Sequence, residues 1–330
     1  MKRMFGTRQL ALVFVLCAWV GQAHSQMQTK LDLSTLDYQL KARELAPDVF
    51  VVEGANADFS PANGCNIINT GFIVTGAGVV VINTGPSHLY GLQLRDLIAR
   101  TSKQPVVKVI HLNLHPDYFL GNQAFADVPR AATATTRAGM KREAGGYADN
   151  MYRLCGEWMK GTEPLLPSTD LAMGTERIGT HELKTLELSG HTDSDVVLID
   201  QTRGVMFAGG LVFAQRVPTT PHAQVGAWLS SLQTLSKTAQ TANLALVPSH
   251  GVVALSTQGI AMTQRYMSWL DTAFRDAAER GLEMNEVLRM PVPPEFKAWA
   301  GFDTEYTRNV ANLYPRYERA VLVGTTPKQP

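Results

Sequence analysis

The segment Asn113-Leu114-His115-Pro116-Asp117-Tyr118 presents an amide, an imidazole, a carboxylate and a phenol at spacings of two, two and one. It follows a short apolar run over residues 106–112 that reads as a strand. A strand running into a turn can aim several side chains at one point, and this mixture of donors points to a metal ion. Zinc accepts imidazole nitrogen and carboxylate oxygen readily. A neutral amide is a poor substitute, and a phenol with an ordinary pKa of about 10 binds only by giving up its proton. On the strand pattern His111 shares a face with Asn113 and His115, because side chains alternate. Its backbone should lie roughly 6–7 Å behind, at about 3.3 Å per residue. Two readings of His111 stay open: a stand-in ligand, or a hydrogen-bonded histidine buried in the strand.

The elements that must carry this loop are legible in outline. Residues 26–45 read as a lead-in, and strand patterning begins over residues 49–53. Residues 70–74 and 78–83 read as a hairpin around Thr75-Gly76-Ala77-Gly78. Thr84-Gly85-Pro86 ends it, and Leu89, Leu92, Leu94, Leu97 and Ile98 then recur at helical spacing. After the metal-loop segment, residues 131–160 read as a helical insert and 163–178 as loop with extended pieces. Strand-like runs follow at 183–188, 196–200, 205–208 and 244–248, with a helix over 228–238. Helical patterning resumes at 258–281. Past Pro291, Pro293 and Pro294, residues 302–322 read as one or two terminal helices. Strands alternating with helices in both halves predict an α/β fold of two packed sheets with helices outside. No linker interrupts the chain, so residues 26–330 are expected to form one domain with a helical C-terminal extension at about 258–322.

The chain has 330 residues, 45% hydrophobic and 18% charged, with a formal charge of +1. This near-neutral balance argues against nucleic acid as a partner. Lys2, Arg3 and Arg8 precede an apolar run over 10–20 and then Ala23-His24-Ser25. Together these features predict a secretory signal over residues 1–25, cleaved before Gln26, and a periplasmic or secreted protein. The run falls short of the ~20 residues of a membrane span, so no stable insertion is expected. An uncleaved N-terminal anchor is the alternative. Cys17 would leave with the signal. Cys65 and Cys155 could pair in an oxidising compartment, which the sequence leaves open. Neither sits in a C-x-x-C motif.

Five blocks share one order. Ile82-Asn83-Thr84-Gly85-Pro86 resembles an I-D-T-G turn, and 113–118 with Gly121-Asn122 resembles the signature H-x-H-x-D-H. Gly190-His191-Thr192, Phe207-Ala208-Gly209-Gly210-Leu211-Val212-Phe213 and Pro248-Ser249-His250-Gly251 resemble G-H-T, F-x-G-D-x-x-F and P-x-H-G. Each block alone is weak, and the ordered set over residues 82–251 is specific. The chain thereby resembles the metallo-β-lactamase superfamily, which implies a four-layer αβ/βα sandwich of two mixed sheets with outer helices. Asn69-Thr70-Gly71-Phe72-Ile73-Val74, Gly161-Thr162-Glu163 and the ending around Tyr317-Glu318 further resemble periplasmic zinc metallohydrolase-like proteins that accompany quinoprotein dehydrogenases.

Carried over position by position, the resemblance implies Asn113, His115 and His191 at a first metal and Asp117, Tyr118 and His250 at a second. Gly210 stands where a carboxylate bridges the two, and Asn83 supports the loop. His115, Asp117, His191 and His250 keep the expected types, while Asn113, Tyr118 and Gly210 depart from them. Glycine offers no side-chain donor, and losing the bridging anion leaves two dications less neutralised. A binuclear pair is not expected; one zinc ion or none is. If three of the four donors bind, an open position remains for water. Asp117 would then orient or deprotonate it, and Tyr118 would donate a hydrogen bond to the developing oxyanion. In the metal-free reading His115 and His191 simply hydrogen-bond Asp117 and Asn113. Restoring Asn113→His, Tyr118→His and Gly210→Asp together should raise zinc content if the cleft keeps its shape.

Two functional classes follow. One is a periplasmic hydrolase acting on a small ester, lactone, thioester or β-lactam-like amide. The other is a non-catalytic accessory or binding protein in quinoprotein-linked metabolism, with a protein partner in the periplasm. His88, His181 and His222 read as loop or surface histidines, with His222 able to approach the cleft rim. Asp193 and Asp195 read as solvated or capping acids. Met140, Met151 and Met159 read as gap-filling core. No G-x-G-x-x-G, P-loop or G-x-S-x-G is present.

Overall fold

The computed structural model describes Met1 and residues 36–242, 244–254 and 256–324; the secretory signal expected over residues 1–25 lies outside the described residues except for Met1. The first sheet runs in chain order: β1 (Ala42–Ala46), β2 (Val49–Val52), β3 (Thr70–Val74), β4 (Val79–Ile82), β5 (Val106–Ile110), β6 (Arg130–Ala132) and β7 (Thr169–Asp170). Strands β1 to β4 pair antiparallel and β4 to β7 parallel. The second half adds β8 (Gly174–Ile178), β9 (His181–Leu188), β10 (Asp195–Asp200), β11 (Val205–Phe207), β12 (Phe213–Ala214), β13 (Ala245–Val247) and β14 (His250–Gly251). Their main sheet has the order β13-β11-β10-β9-β8, and β12 pairs with β14 in a short parallel ribbon. The β10–β11 pairing is antiparallel and β11–β13 parallel, so this sheet is mixed as well.

Alternation along the strands builds the layers. Val80 and Ile82 of β4 turn inward to a core shared with Val196, Leu198 and Phe207 of the second sheet. Val79 and Val81 turn outward onto α1 (His88–Thr101), where they meet Leu94 and Ile98. Val197 and Ile199 turn to the far side. There they pack against α4 (Val225–Ala242), α5 (Gln258–Glu279) and α8 (Phe302–Leu322). The result is helix, sheet, sheet, helix, the four-layer α/β sandwich predicted above. At ~0.8 kcal/mol per buried methylene, these three interfaces are the main source of stability.

The remaining helices are α2 (Pro116–Phe119), α3 (Ala134–Cys155), α6 (Met284–Val287) and α7 (Pro294–Lys297). The apolar segment at 106–112 is shorter than its pattern suggested: β5 ends at Ile110, and residues 111–115 already turn into α2. The lead-in contributes β1, a half-exposed edge strand whose polar Arg43 and Glu44 hid it from the pattern. The terminal helix is a single element despite Pro315. Cys65 and Cys155 form a disulfide, with Cα atoms 6.0 Å apart. Among the described residues no helix is long and apolar enough to cross a membrane.

Candidate active site

The site is assembled at one end of the two sheets from loops that begin where strands stop. Asn83, just past β4, adopts φ +58° and its side-chain oxygen accepts the Leu112 N–H at 3.0 Å. That bond holds the 111–115 turn against the end of β4. His115 is the N-cap residue of α2, and its own N–H is accepted by Asn113 Oδ1 at 3.0 Å. Asp117 lies in the first turn of α2, 2% exposed. His191 sits in the turn before β10, and His250 opens β14.

Asp117, His115 and His250 line one cavity of about 320 Å³, together with Tyr147, Arg216 and His222. His115 also packs edge-on against His191, ring centroids 4.5 Å apart. His191 is fully buried behind the cavity wall, and its Nε2 faces the Thr219 hydroxyl at 3.4 Å. Tyr118 is fully buried too; its hydroxyl makes no hydrogen bond, and the residue is not part of the cavity lining.

The polar atoms in this pocket are unevenly satisfied. His250 Nδ1 donates to the Ile67 carbonyl at 3.0 Å, which leaves Nε2 as a bare lone pair. That lone pair faces Asp117 Oδ2 at 3.4 Å, and Asp117 Oδ2 makes no hydrogen bond. Two buried acceptors set face to face call for a cation or a proton between them. Burial pushes the Asp117 carboxyl up to about 7, partly offset by its own backbone and by the Arg216 guanidinium. Burial also holds the His115, His191 and His250 imidazoles well below their ordinary range, so all three stay neutral. His115 Nε2 has no partner either.

One donor pair, Asp117 and His250, is spaced as two ligands of a single ion would be. Two ligands at about 2.0–2.1 Å from a tetrahedral zinc lie roughly 3.4 Å from each other. The Asp117–His250 separation has this value, although among the described residues no group of three His, Cys, Asp or Glu side chains stands ready-made around an ion. At the positions where the resemblance implied a further histidine and a bridging carboxylate stand Asn113 and Gly210. Asn113 Nδ2 donates to His191 Nδ1 at 3.2 Å, so the amide serves to orient the imidazole. A Cβ on Gly210 would lie 1.9 Å from His191 Nδ1 and 2.5 Å from Asn113 Nδ2. The space of a bridging carboxylate is already filled by these two side chains.

Other residues took places their local sequence did not announce. Asp195 is a capping acid, as read, but it is fully buried rather than solvated. Its carboxylate accepts from the His191 and Thr192 N–H groups at 3.0 and 2.8 Å and approaches His191 Nδ1 at 3.4 Å. Arg216 is fully buried, donates to the Ala57 carbonyl at 3.0 Å, and reaches Glu305 of α8 at 3.4 Å. Only tertiary structure brings that charge beside Asp117. His111 is the hydrogen-bonded strand-end histidine: Nδ1 donates to the Tyr118 carbonyl at 3.1 Å, and it does not line the cavity. His181 is not a surface residue; it is buried against Asp200 at 2.6 Å. His222 does stand at the cleft, bonded to the Tyr147 hydroxyl at 3.2 Å. The disulfide ties the loop before β3 to the end of α3, the helix whose Tyr147, Asn150 and Arg153 wall the cavity.

The sequence matches the family profile of the Metallo-beta-lactamase superfamily over residues 63–250, more than half of the chain. No curated protein matches it. Among solved structures it is similar to a metallo-beta-lactamase from Pontibacter korlensis, with 22% identity and a TM-score of 0.56 over 70% of this chain and 99% of that one. It is similar to the metallo-beta-lactamase IND-7, with 19% identity and a TM-score of 0.57 over 71% of this chain and all (100%) of the other. It is also similar to one from Hirschia baltica, with 17% identity and a TM-score of 0.54 over 69% and 97%. At such identities the structural likeness speaks for the fold. With the five motif blocks meeting at one end of two mixed sheets, and the profile spanning most of them, the chain belongs to the metallo-beta-lactamase superfamily.

Proposed function

We propose that this chain is a hydrolase-like protein of an extracytoplasmic compartment, built to hold a single metal ion and to act on a small ester, lactone, thioester or β-lactam-like amide. The observation that carries this reading is the unprotonated His250 Nε2 facing Asp117 Oδ2 at 3.4 Å in a buried pocket. Asp117, His250, His115 and His191 are the residues that would hold the ion, and zinc suits three imidazoles with one carboxylate. When bound, such an ion supplies a Lewis acid and an activated water.

The chain's own residues would do the rest. Asp117 orients the attacking water and takes its proton. Arg216, fully buried beside it, favours the ionised carboxylate. Phe59, Tyr147 and Pro221 supply apolar surface to the cavity wall. Tyr118 keeps its proton, because burial raises its pKa well above the ordinary value. Its hydroxyl lies outside the cavity lining, so the oxyanion role expected from the sequence is not part of this reading. The disulfide and the expected signal over residues 1–25 support an oxidising location, periplasmic or secreted.

Elemental analysis of protein purified without chelators, paired with a panel of the four substrate classes, tests the reading. One equivalent of metal with hydrolysis that Asp117→Asn lowers at least about 100-fold supports it. No metal after zinc addition, and no hydrolysis, ends it. The filled space at Gly210 favours a second reading, a binding or accessory protein with a partner in quinoprotein-linked metabolism, and that outcome would leave it standing.

A further inference from the structure

The cavity has a buried inner end, where Asp117, His115, His250 and Arg216 stand, and a mouth built from one face each of α3 and α8. On α3 that face carries Tyr147, Asn150 and Leu154, with Arg153 beside them; on α8 it carries Glu305, Arg308 and Asn312. Residues three, four or seven apart share a face of a helix. Neither helix belongs to a motif block, and α8 lies beyond residue 250, where the family profile ends. Arg153, Arg216 and Arg308 supply guanidiniums to the cavity, and the last two have carboxylate partners. Arg216 reaches Glu305, and Arg308 binds Asp58 at 3.1 Å and Glu305 at 3.0 Å. Arg153, exposed at the mouth, has no carboxylate partner among the described residues. Asp149 stands four residues before it, a spacing that favours an ion pair on a helix. The guanidinium turns instead to the cavity-lining Asn150, whose amide oxygen accepts from Nη2 at 2.7 Å.

We propose that Arg153, held by Asn150, anchors a carboxylate at the far end of the substrate, so that the compound cleaved at the inner end is an anionic acyl compound. This assignment rests on the hydrolase reading and narrows its substrate class. A guanidinium that gives one N–H to an amide keeps the others for a ligand, and its planar fork matches a carboxylate. The Asn150 amide, accepting through its oxygen, keeps its NH2 as a further donor. Tyr147 marks the inner end of the α3 face, its ring 6.4 Å from that of His115. Arg153 follows six residues later, roughly 9 Å along the helix at about 1.5 Å per residue. The arginine side chain covers part of that distance, which leaves room for a short acyl chain. Ile67 and Leu154 supply apolar surface to the same cavity, against which methylene groups can lie.

The test compares two 4-nitrophenyl esters of one chain length on the zinc-supplemented full chain: the half-ester of glutarate, which ends in a carboxylate, and its terminal amide. A calorimetric titration with 5-oxohexanoate, which has the same carboxylate and no bond to hydrolyse, is run beside them. The expected result is a kcat/KM about 10-fold or more higher for the carboxylate ester, the fold-change of one charge-assisted hydrogen bond. Arg153→Gln should bring that ratio to within about 2-fold of unity, through KM rather than kcat, and weaken 5-oxohexanoate by a similar factor. Arg177→Gln removes an equal charge from the exposed strand β8 and should leave the ratio in place. A ratio at or below unity, or one that Arg177→Gln lowers as much as Arg153→Gln, overturns the assignment and leaves the hydrolase reading intact. If neither ester is cleaved yet Arg153→Gln abolishes 5-oxohexanoate binding, the hydrolase reading falls and the anion anchor stands. With no cleavage and no binding, both fall.

Discussion

At the scale of single residues, Gly210 separates this chain from a binuclear enzyme more sharply than the two substituted donors do. Asn113 and Tyr118 are changes of chemistry, whereas Gly210 is a change of space. Its missing side chain is the room into which His191 and Asn113 have settled. Gly210→Asp alone should therefore add no second ion. It should push against His191 and cost about 1–3 kcal/mol, the range for overpacking a buried site. Thermal denaturation together with metal stoichiometry would check this, and a gain of metal without loss of stability would refute it. Restoring all three positions meets the same obstacle, because a histidine at 113 and a carboxylate at 210 would compete for one volume. The roles of His115, Asp117 and His250 as donors were suggested by residue type and motif order. Arg216 belongs to no motif and nothing in its neighbours along the chain marks it; Asp195 reads as a capping acid and His222 as able to approach the cleft rim, but their burial and partners are not marked in the sequence.

At the scale of elements, α3 is one wall of the cavity. It supplies Tyr147, Asn150 and Arg153 to the cavity and is anchored at both ends. At its start the Thr133 hydroxyl accepts the Thr136 N–H at 3.0 Å and meets Ser194 of the adjoining loop at 2.7 Å. At its end the Cys65–Cys155 bridge closes a separation of 90 residues. Removing that bridge with Cys155→Ser should cost about 2–4 kcal/mol, visible as a lower Tm, and should loosen the wall that holds His222. A helix with a polar, weakly periodic sequence is recognisable as a helix from its residues. Which of its side chains line a cleft depends on the bridge and the cap, and these are contacts between distant parts of the chain. Thr133→Ala should cost about 1 kcal/mol through the lost cap, and chemical denaturation would measure it.

At the scale of the whole molecule, the two sheets meet through a core in which Phe207 is 1% exposed and reaches the backbone of β3 at Gly71. Phe207→Ala should cost about 3–5 kcal/mol, read by denaturant unfolding, since the rigid sheets on either side cannot close the gap. Because the strand ends on both sides of this core carry the donors, the same variant should also lower metal affinity without touching a ligand. On the scale of the full chain, amino-terminal sequencing of exported protein should begin at Gln26 if the signal reading is right.

What the residues alone determined is the layer architecture and the chemical character of the site. Alternating apolar strands and a helical stripe dictate which faces are buried, and that periodicity is local. Motif order likewise picks out three imidazoles and a carboxylate. Tertiary structure decided what those groups can do together. Metal binding turns on separations of a few ångströms between loops far apart in sequence, and on whether a volume is empty or filled. Those are properties of how the sheets and α3 pack, which no run of neighbouring residues encodes.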